Sequence, residues 1–174
     1  MNATGVLAAQ HRAIEALFEE VEHETRRHAR ARHVSRIAEE LIAHMAGEEA
    51  VFYPALQRVV GGDGAEVEGA REEHVELRVQ LRRLLATRAN EEGFLDRVRE
   101  LRELFARHVE EEESRLFPLL ERALSPSEHA VLGEEVLASR PPIWIVTTER
   151  SAHAHADDPL LRPRVSLPVP PAND

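Results

Sequence analysis

Two stretches of this chain carry the same pattern of chemically capable side chains. His44, Glu48, Glu49, Tyr53 and Pro54 align without a gap on His108, Glu112, Glu113, Phe117 and Pro118. In both copies the histidine leads the glutamate by four residues and the proline by ten. Each copy has a further histidine upstream, His11 standing 33 residues before His44 and His74 standing 34 before His108. A single histidine four residues ahead of a glutamate means little in so glutamate-rich a chain. Two gapless copies, with partner histidines at matching offsets, define a repeated unit that supplies His, His and Glu twice.

The spacing has a physical meaning. Residues four apart on a helix differ by about 40° in direction and lie one turn apart. His44 and Glu48 therefore project from one face, and so do His108 and Glu112. All six residues fall on the apolar stripes of their segments, so four stripes facing one another would gather four imidazoles and two carboxylates in a dry interior. Burying them uncompensated would cost on the order of several kcal/mol. A pair of bound metal ions removes that cost, and imidazole with carboxylate, without thiolate, suits iron better than a soft metal. Manganese or zinc could also occupy such a site.

The elements that must position these residues read as long helices. Helical spacing of Leu7, His11, Ile14, Phe18 and Val21 predicts a first helix from about Thr4 to His28. A second, from about His33 to Val60, carries Ile37, Leu41, His44, Glu48, Phe52 and Leu56, and the break between the two contains neither Gly nor Pro. Gly61, Gly62, Asp63 and Gly64 mark a turn, and a third helix follows from about Ala65 to Thr87 through Val67, Ala70, His74, Leu77 and Leu81. Asn90 is a candidate cap for a fourth, which reads Phe94, Val98, Leu101, Phe105, His108, Glu112 and Leu116. A shorter fifth helix is predicted from Ser127 to Ser139. The expected fold is all-α: an antiparallel up-down four-helix bundle over residues 1–139, closed by the short helix.

From Arg140 the character changes, since seven of the ten prolines fall in the last 34 residues. Residues 140–174 read as an extended or disordered tail. Its apolar patch, Ile143 to Val146 around Trp144, is expected to dock on the bundle, because an exposed Trp among isoleucines is unfavourable. A protein partner for the tail is conceivable and has no support in the sequence.

Composition narrows the function. A formal net charge of −10 argues against nucleic-acid backbones and anionic membranes as partners. With no cysteine, disulfides, thiolate metal sites and Cys nucleophiles are excluded. No basic leader precedes an apolar run at the N-terminus, and no stretch approaches 18 apolar residues, so a cytoplasmic location is the default expectation. A small molecule is the partner class that remains.

With its His, His-x-x-x-Glu, His and His-x-x-x-Glu on four successive helices, the chain resembles the hemerythrin/HHE cation-binding family, over about Val6 to Leu120. The resemblance implies two iron ions. His11 and His44 would bind one, His74 and His108 the other, and Glu48 and Glu112 would bridge them beside an oxo or hydroxo group. Oxygen-carrying hemerythrins have one more histidine four residues after the third; here that position is Arg78. Each iron would then keep an open position, which suits oxygen, peroxide or nitric oxide chemistry or sensing better than reversible oxygen transport.

Three residues stand next to this set. Tyr53 could fill one open position, but an ideal helix turns it about 140° from Glu48, which favours a packed aromatic equivalent to Phe117. Glu15 and Arg78, each four residues past a ligand histidine, are expected to pair with each other, or Glu15 to act as a supplementary ligand, or both to stand at the boundary in water. Glu49 and Glu113 read as solvated, and His23, His28, His33 and His129 as surface residues. His153 and His155 lie in the tail. A binding or sensor protein and a catalase- or oxidase-like enzyme acting on hydrogen peroxide both fit these residues; a metal-free scaffold does not account for the repeat.

Overall fold

The computed structural model describes residues 2–61 and 64–139. The predicted tail, with Trp144, His153 and His155, lies outside them. The described residues are all-helical, with no strand among them. In chain order the helices are α1 (Ala3–His23), α2 (Arg27–Gly47), α3 (Tyr53–Val60), α4 (Ala65–Ala86), α5 (Phe94–Glu111), α6 (Phe117–Ala123) and α7 (Pro126–Ala138). Two five-residue π-helical segments, Glu48–Phe52 and Glu112–Leu116, join α2 to α3 and α5 to α6 without a break. None of the described helices is long and apolar enough to cross a membrane.

Local chemistry explains most boundaries. The link between α1 and α2 is only Glu24 to Arg26, shorter than the break predicted from sequence. It manages without Gly or Pro because the Glu24 carboxylate accepts from the backbone N–H groups of both Thr25 and Arg26 at 2.9 Å. At the far end of α3, Gly61 and Gly64 adopt φ of 69° and 75°, a backbone that only glycine enters cheaply. Asn90 does not cap α5. The helix starts three residues later behind Gly93, whose φ of 82° reverses the chain. α7 opens on a capping box, Ser125 bonding the backbone of Glu128 while the Glu128 carboxylate returns to the Ser125 N–H.

The proline of each repeat coincides with its π segment. A proline inside a helix has no N–H to give, and its ring collides with the carbonyl four residues back. Widening the preceding turn relieves both. The N–H of Tyr53 reaches the carbonyl of Glu48, and that of Phe117 the carbonyl of Glu112, five residues away in each case.

Packing divides the interior into two apolar clusters. One gathers Ile14, Phe18, Ile37, Leu41, Leu77, Leu101 and Phe105 with their neighbours. The other gathers Leu7, Phe52, Tyr53, Leu56, Leu116, Phe117 and Leu120, and α7 contributes Leu132 and Val136 to it. On α1 and α4 the histidine falls between the two clusters in sequence, on α2 and α5 the histidine and the glutamate after it mark the change from one cluster to the other, and all six are buried. The fold thus holds one polar layer between two greasy ones. His129, expected at the surface, belongs to the buried face of α7 and is 6% exposed, because it shares that face with Leu132, Gly133 and Val136.

Candidate metal centre

The six residues picked out by the repeat converge. His11 on α1 and His44 on α2 approach with their Nε2 atoms 3.1 Å apart. His44 Nε2 lies 3.1 Å from Glu48 Oε1, and His74 Nε2 lies 3.1 Å from the other oxygen of the same carboxylate, Oε2. His108 Nε2 stands 3.8 Å from that oxygen and 3.7 Å from Glu112 Oε2. Glu112 Oε2 also lies 3.4 Å from His11 Nε2. An ion with bonds of about 2.1 Å at right angles separates neighbouring donors by about 3.0 Å. The closest spacings match that edge.

Two donor sets emerge, sharing one carboxylate. His11, His44, Glu48 and Glu112 form the first, and Glu48, His74 and His108 the second, with the donor atoms of each set within 4.8 Å of one another. Glu48 turns one oxygen toward each. Both its oxygens, together with Glu112 Oε2 and His108 Nε2, are buried without a hydrogen-bond partner. Orphaned buried oxygens of this kind are costly, and here they point at one another, which is the arrangement that two cations would neutralise.

The outer side of each imidazole is held as well. Nδ1 of His11 meets Glu113 at 2.8 Å, that of His74 meets Glu49 at 2.8 Å, and that of His108 meets Glu73 at 3.1 Å. For His44 the partner is the side-chain oxygen of Gln10, at 3.0 Å. Carboxylate and amide oxygens only accept, so each Nδ1 carries the proton and donates it. With Nδ1 so protonated, a neutral ring presents its Nε2 lone pair inward, the tautomer a metal requires.

Taken alone, the sequence places Glu49 and Glu113 in solvent and marks neither Gln10 nor Glu73. A signal was present: Gln10 and Glu73 each precede a ligand-type histidine, and Glu49 and Glu113 each follow a glutamate of the site. The repeat that aligned the six aligns these four too.

Tyr53 corrects the expectation of a merely packed aromatic. It packs against Phe52 and His74 with ring centroids 5.6 and 5.3 Å away. Its hydroxyl donates to Glu112 Oε1 at 3.0 Å and lies 3.0 Å from His74 Nε2. The π segment is the reason. Bonding across five residues carries position 53 back beneath Glu48, where an ideal α-helix would have turned it away. Its counterpart Phe117 lies parallel to His11 at 5.8 Å, with no polar atom to offer.

Glu15 and Arg78 do not pair. Glu15 is bound by Arg102 of α5, whose Nε donates to it at 2.8 Å. Arg78 donates to both oxygens of Glu49, at 2.8 and 2.9 Å. Each is over a third exposed and reaches a neighbouring segment outside the polar layer. Glu15 therefore has no part in the site, whereas Arg78 steadies the carboxylate that orients His74.

The charges are interlocked. Burial disfavours a charged His11, but Glu112 and Glu48 beside it hold its pKa up at about 9. Burial likewise opposes charge on His108, yet Glu48 and Glu73 raise it to about 10. Burial dominates at His44, lowering it to about 3. Burial and the neighbouring Glu48 raise Glu112 above the usual carboxylate range. At Glu48 burial is outweighed by the surrounding imidazoles, which keep it well below that range.

A buried layer of four histidines and two carboxylates, crossing the all-helical described residues, offers donor sets that could hold metal cations. The chain belongs to the hemerythrin HHE cation-binding family, whose model matches residues 2–120. It is 37% identical to an uncharacterised hemerythrin-like protein of Schizosaccharomyces pombe over 90 residues, 51% of this chain and 44% of that one. It is 29% identical over 141 residues to a DNA nickase of Nostoc, covering 80% of this chain and 39% of the relative. The matches thus span less than half the length of either curated relative. Among solved structures it superposes on a hemerythrin HHE cation-binding domain-containing protein from Mycobacterium kansasii with a TM-score of 0.71. The identity is 25%, with 87% of this chain and 89% of that chain covered.

Proposed function

We propose that the chain is a four-helix-bundle, non-haem di-iron protein of the cytoplasm that binds oxygen, peroxide or nitric oxide, and reacts with that ligand or senses it. The observation that carries this reading is the pairing of inward and outward order: Nε2 atoms and orphaned carboxylate oxygens face the centre, while every Nδ1 is held from behind. His11 and His44 would hold one ion and His74 and His108 the other, with Glu48 and Glu112 shared between them. When bound, a pair of irons supplies adjacent redox-active Lewis-acid positions for a small ligand.

The chain's own residues set the conditions. The apolar clusters above and below the layer exclude water, which strengthens every electrostatic interaction inside. The outer carboxylates and Gln10 fix the rings. Tyr53, of the first repeat, holds a proton at its hydroxyl oxygen against His74 and Glu112 of the second.

That proton favours a second reading, a catalase- or oxidase-like enzyme acting on hydrogen peroxide. A buried hydroxyl beside the metal positions can donate a hydrogen bond to a ligand and pass a proton at no cost in water access. The Nostoc nickase is matched over 39% of its length only. A net charge of −10 gives no counterion-release drive for duplex binding, so the proposal stays with the metal centre.

Metal content and visible spectrum of protein expressed with iron, followed by addition of hydrogen peroxide, test both. About two irons per chain with sustained oxygen release would support the enzyme. Two irons with a spectral change and no turnover would support binding or sensing. No bound metal would refute both.

A further inference from the structure

The two halves of the centre are built from a repeat, yet they are not held alike. Position for position, Glu113 behind His11 matches Glu49 behind His74, carboxylate against carboxylate. Gln10 behind His44 matches Glu73 behind His108, and here an amide stands against a carboxylate. A carboxylate accepting from Nδ1–H pushes electron density into the ring and makes Nε2 a stronger donor, and losing such a partner costs metal affinity by about 10–100-fold. An amide oxygen orients the ring equally well and pushes far less.

One feature works the other way. Arg78 shares the Glu49 carboxylate and draws on its charge, weakening the push on His74. The two effects differ in reach. Replacing Glu by Gln removes a full charge in direct contact with the ring, whereas the guanidinium of Arg78 acts from beyond Glu49 and is 36% exposed, where water screens it. The contact charge wins. Glu112 does not offset this difference, because its Oε2 lies 3.4 Å from His11 Nε2 and 3.7 Å from His108 Nε2 and so faces both positions.

We infer that Gln10 makes the two metal positions unequal, so that the position of His74 and His108 fills first and holds its ion more tightly, leaving that of His11 and His44 as the exchangeable one. This rests on the two-metal reading above. Gln10 is a positioning residue that grades donor strength without touching the metal. A symmetric repeat would load both positions together; the single amide separates them.

Anaerobic equilibrium titration of the full metal-free chain with Fe(II) against a competing chelator tests this, with Mössbauer spectra taken at one and at two irons per chain. The expected wild-type result is two steps separated by about 10-fold or more, with one quadrupole doublet at one iron and a second, distinct doublet at two. Gln10→Glu should tighten the weaker step by about 10-fold and close the gap. A damaged fold would only weaken binding, so a gain is informative. Glu73→Gln should close the gap from the other side, by weakening the tighter step. Two irons bound in equal steps, or a gap that neither variant moves, overturns the inference while leaving the two-metal reading intact. A total other than two irons refutes that reading itself and the inference with it.

Discussion

The hydroxyl of Tyr53 donates to Oε1 of Glu112 at 3.0 Å, so that a side chain of the first repeat is fixed on a carboxylate of the second. Burial, with Glu48 and Glu112 alongside, pushes this phenol far above its ordinary range. Without a metal it stays protonated. Only a strongly polarising cation in the His74 position would release the proton and turn Tyr53 into a ligand. On the ligand reading, iron-loaded wild-type protein should show a phenolate-to-iron absorption in the visible, and Tyr53→Phe should lack it while still binding two irons. Identical spectra would show that Tyr53 only donates a hydrogen bond. In metal-free protein the same substitution leaves Glu112 Oε1 without its donor and should cost about 1–3 kcal/mol in denaturant unfolding.

Glu113 reaches His11 from the opposite repeat, and the bond joins α1 to the second π segment. Glu113→Ala should lower metal affinity by about 10–100-fold, read by chelator competition, with helix content by circular dichroism unchanged. Glu110→Ala, at an exposed position three residues earlier, should alter neither. Equal losses from the two variants would mean that Glu113 acts only through overall charge.

Metal uptake should release protons. In metal-free protein His11 and His108 are held near 9 and 10 by the carboxylates around them, so both carry an extra proton at neutral pH that a metal must displace. Affinity should therefore rise with pH through about 9 to 10 and fall below neutrality. Calorimetry in buffers of different ionisation enthalpy should count at least two protons released per chain at pH 7, with Glu112, also raised, adding to them. The sign for metal-free stability is opposite. Raised histidine pKa values stabilise the fold fully below about 6.5, and that contribution is lost as pH climbs through 9 to 10. A pH-independent affinity would contradict the charge state assigned to these two rings.

Gly47 lies just ahead of the first π segment, where α7 crosses. A Cβ there would stand 3.2 Å from Ser139 Oγ and 3.4 Å from Val136 Cγ1. Gly47→Leu should force the end of α7 away and cost about 1–3 kcal/mol, lowering the melting temperature. The matching position in the second repeat is Glu111, whose long side chain is accommodated at a partly exposed site. If Gly47→Leu melts like the wild type, α7 is not packed firmly on this turn.

The helical segments and the six converging residues were legible before any coordinates, because helical periodicity and a doubled motif are local properties. Residues four apart share a face whatever the tertiary structure does. The resemblance built on the same six residues pointed to the family that the chain belongs to. What the sequence could not determine depended on contacts between segments. Glu49 and Glu113 lie off the inward face of their own segments, and only the neighbouring helix gives each a histidine to hold. Glu15 and Arg78 match in the repeat, but their partners come from whichever segment packs beside them, α5 for one and the first π segment for the other. His129 looked like a surface residue until α7 was laid against the bundle. Tyr53 is the sharpest case: a regular helix turns it away, and the widened turn ahead of Pro54 brings it back. The proline was visible ten residues after the histidine in both copies. How the helix would absorb it, by kinking, ending or adding one residue to a turn, was decided by the core that closes around that turn.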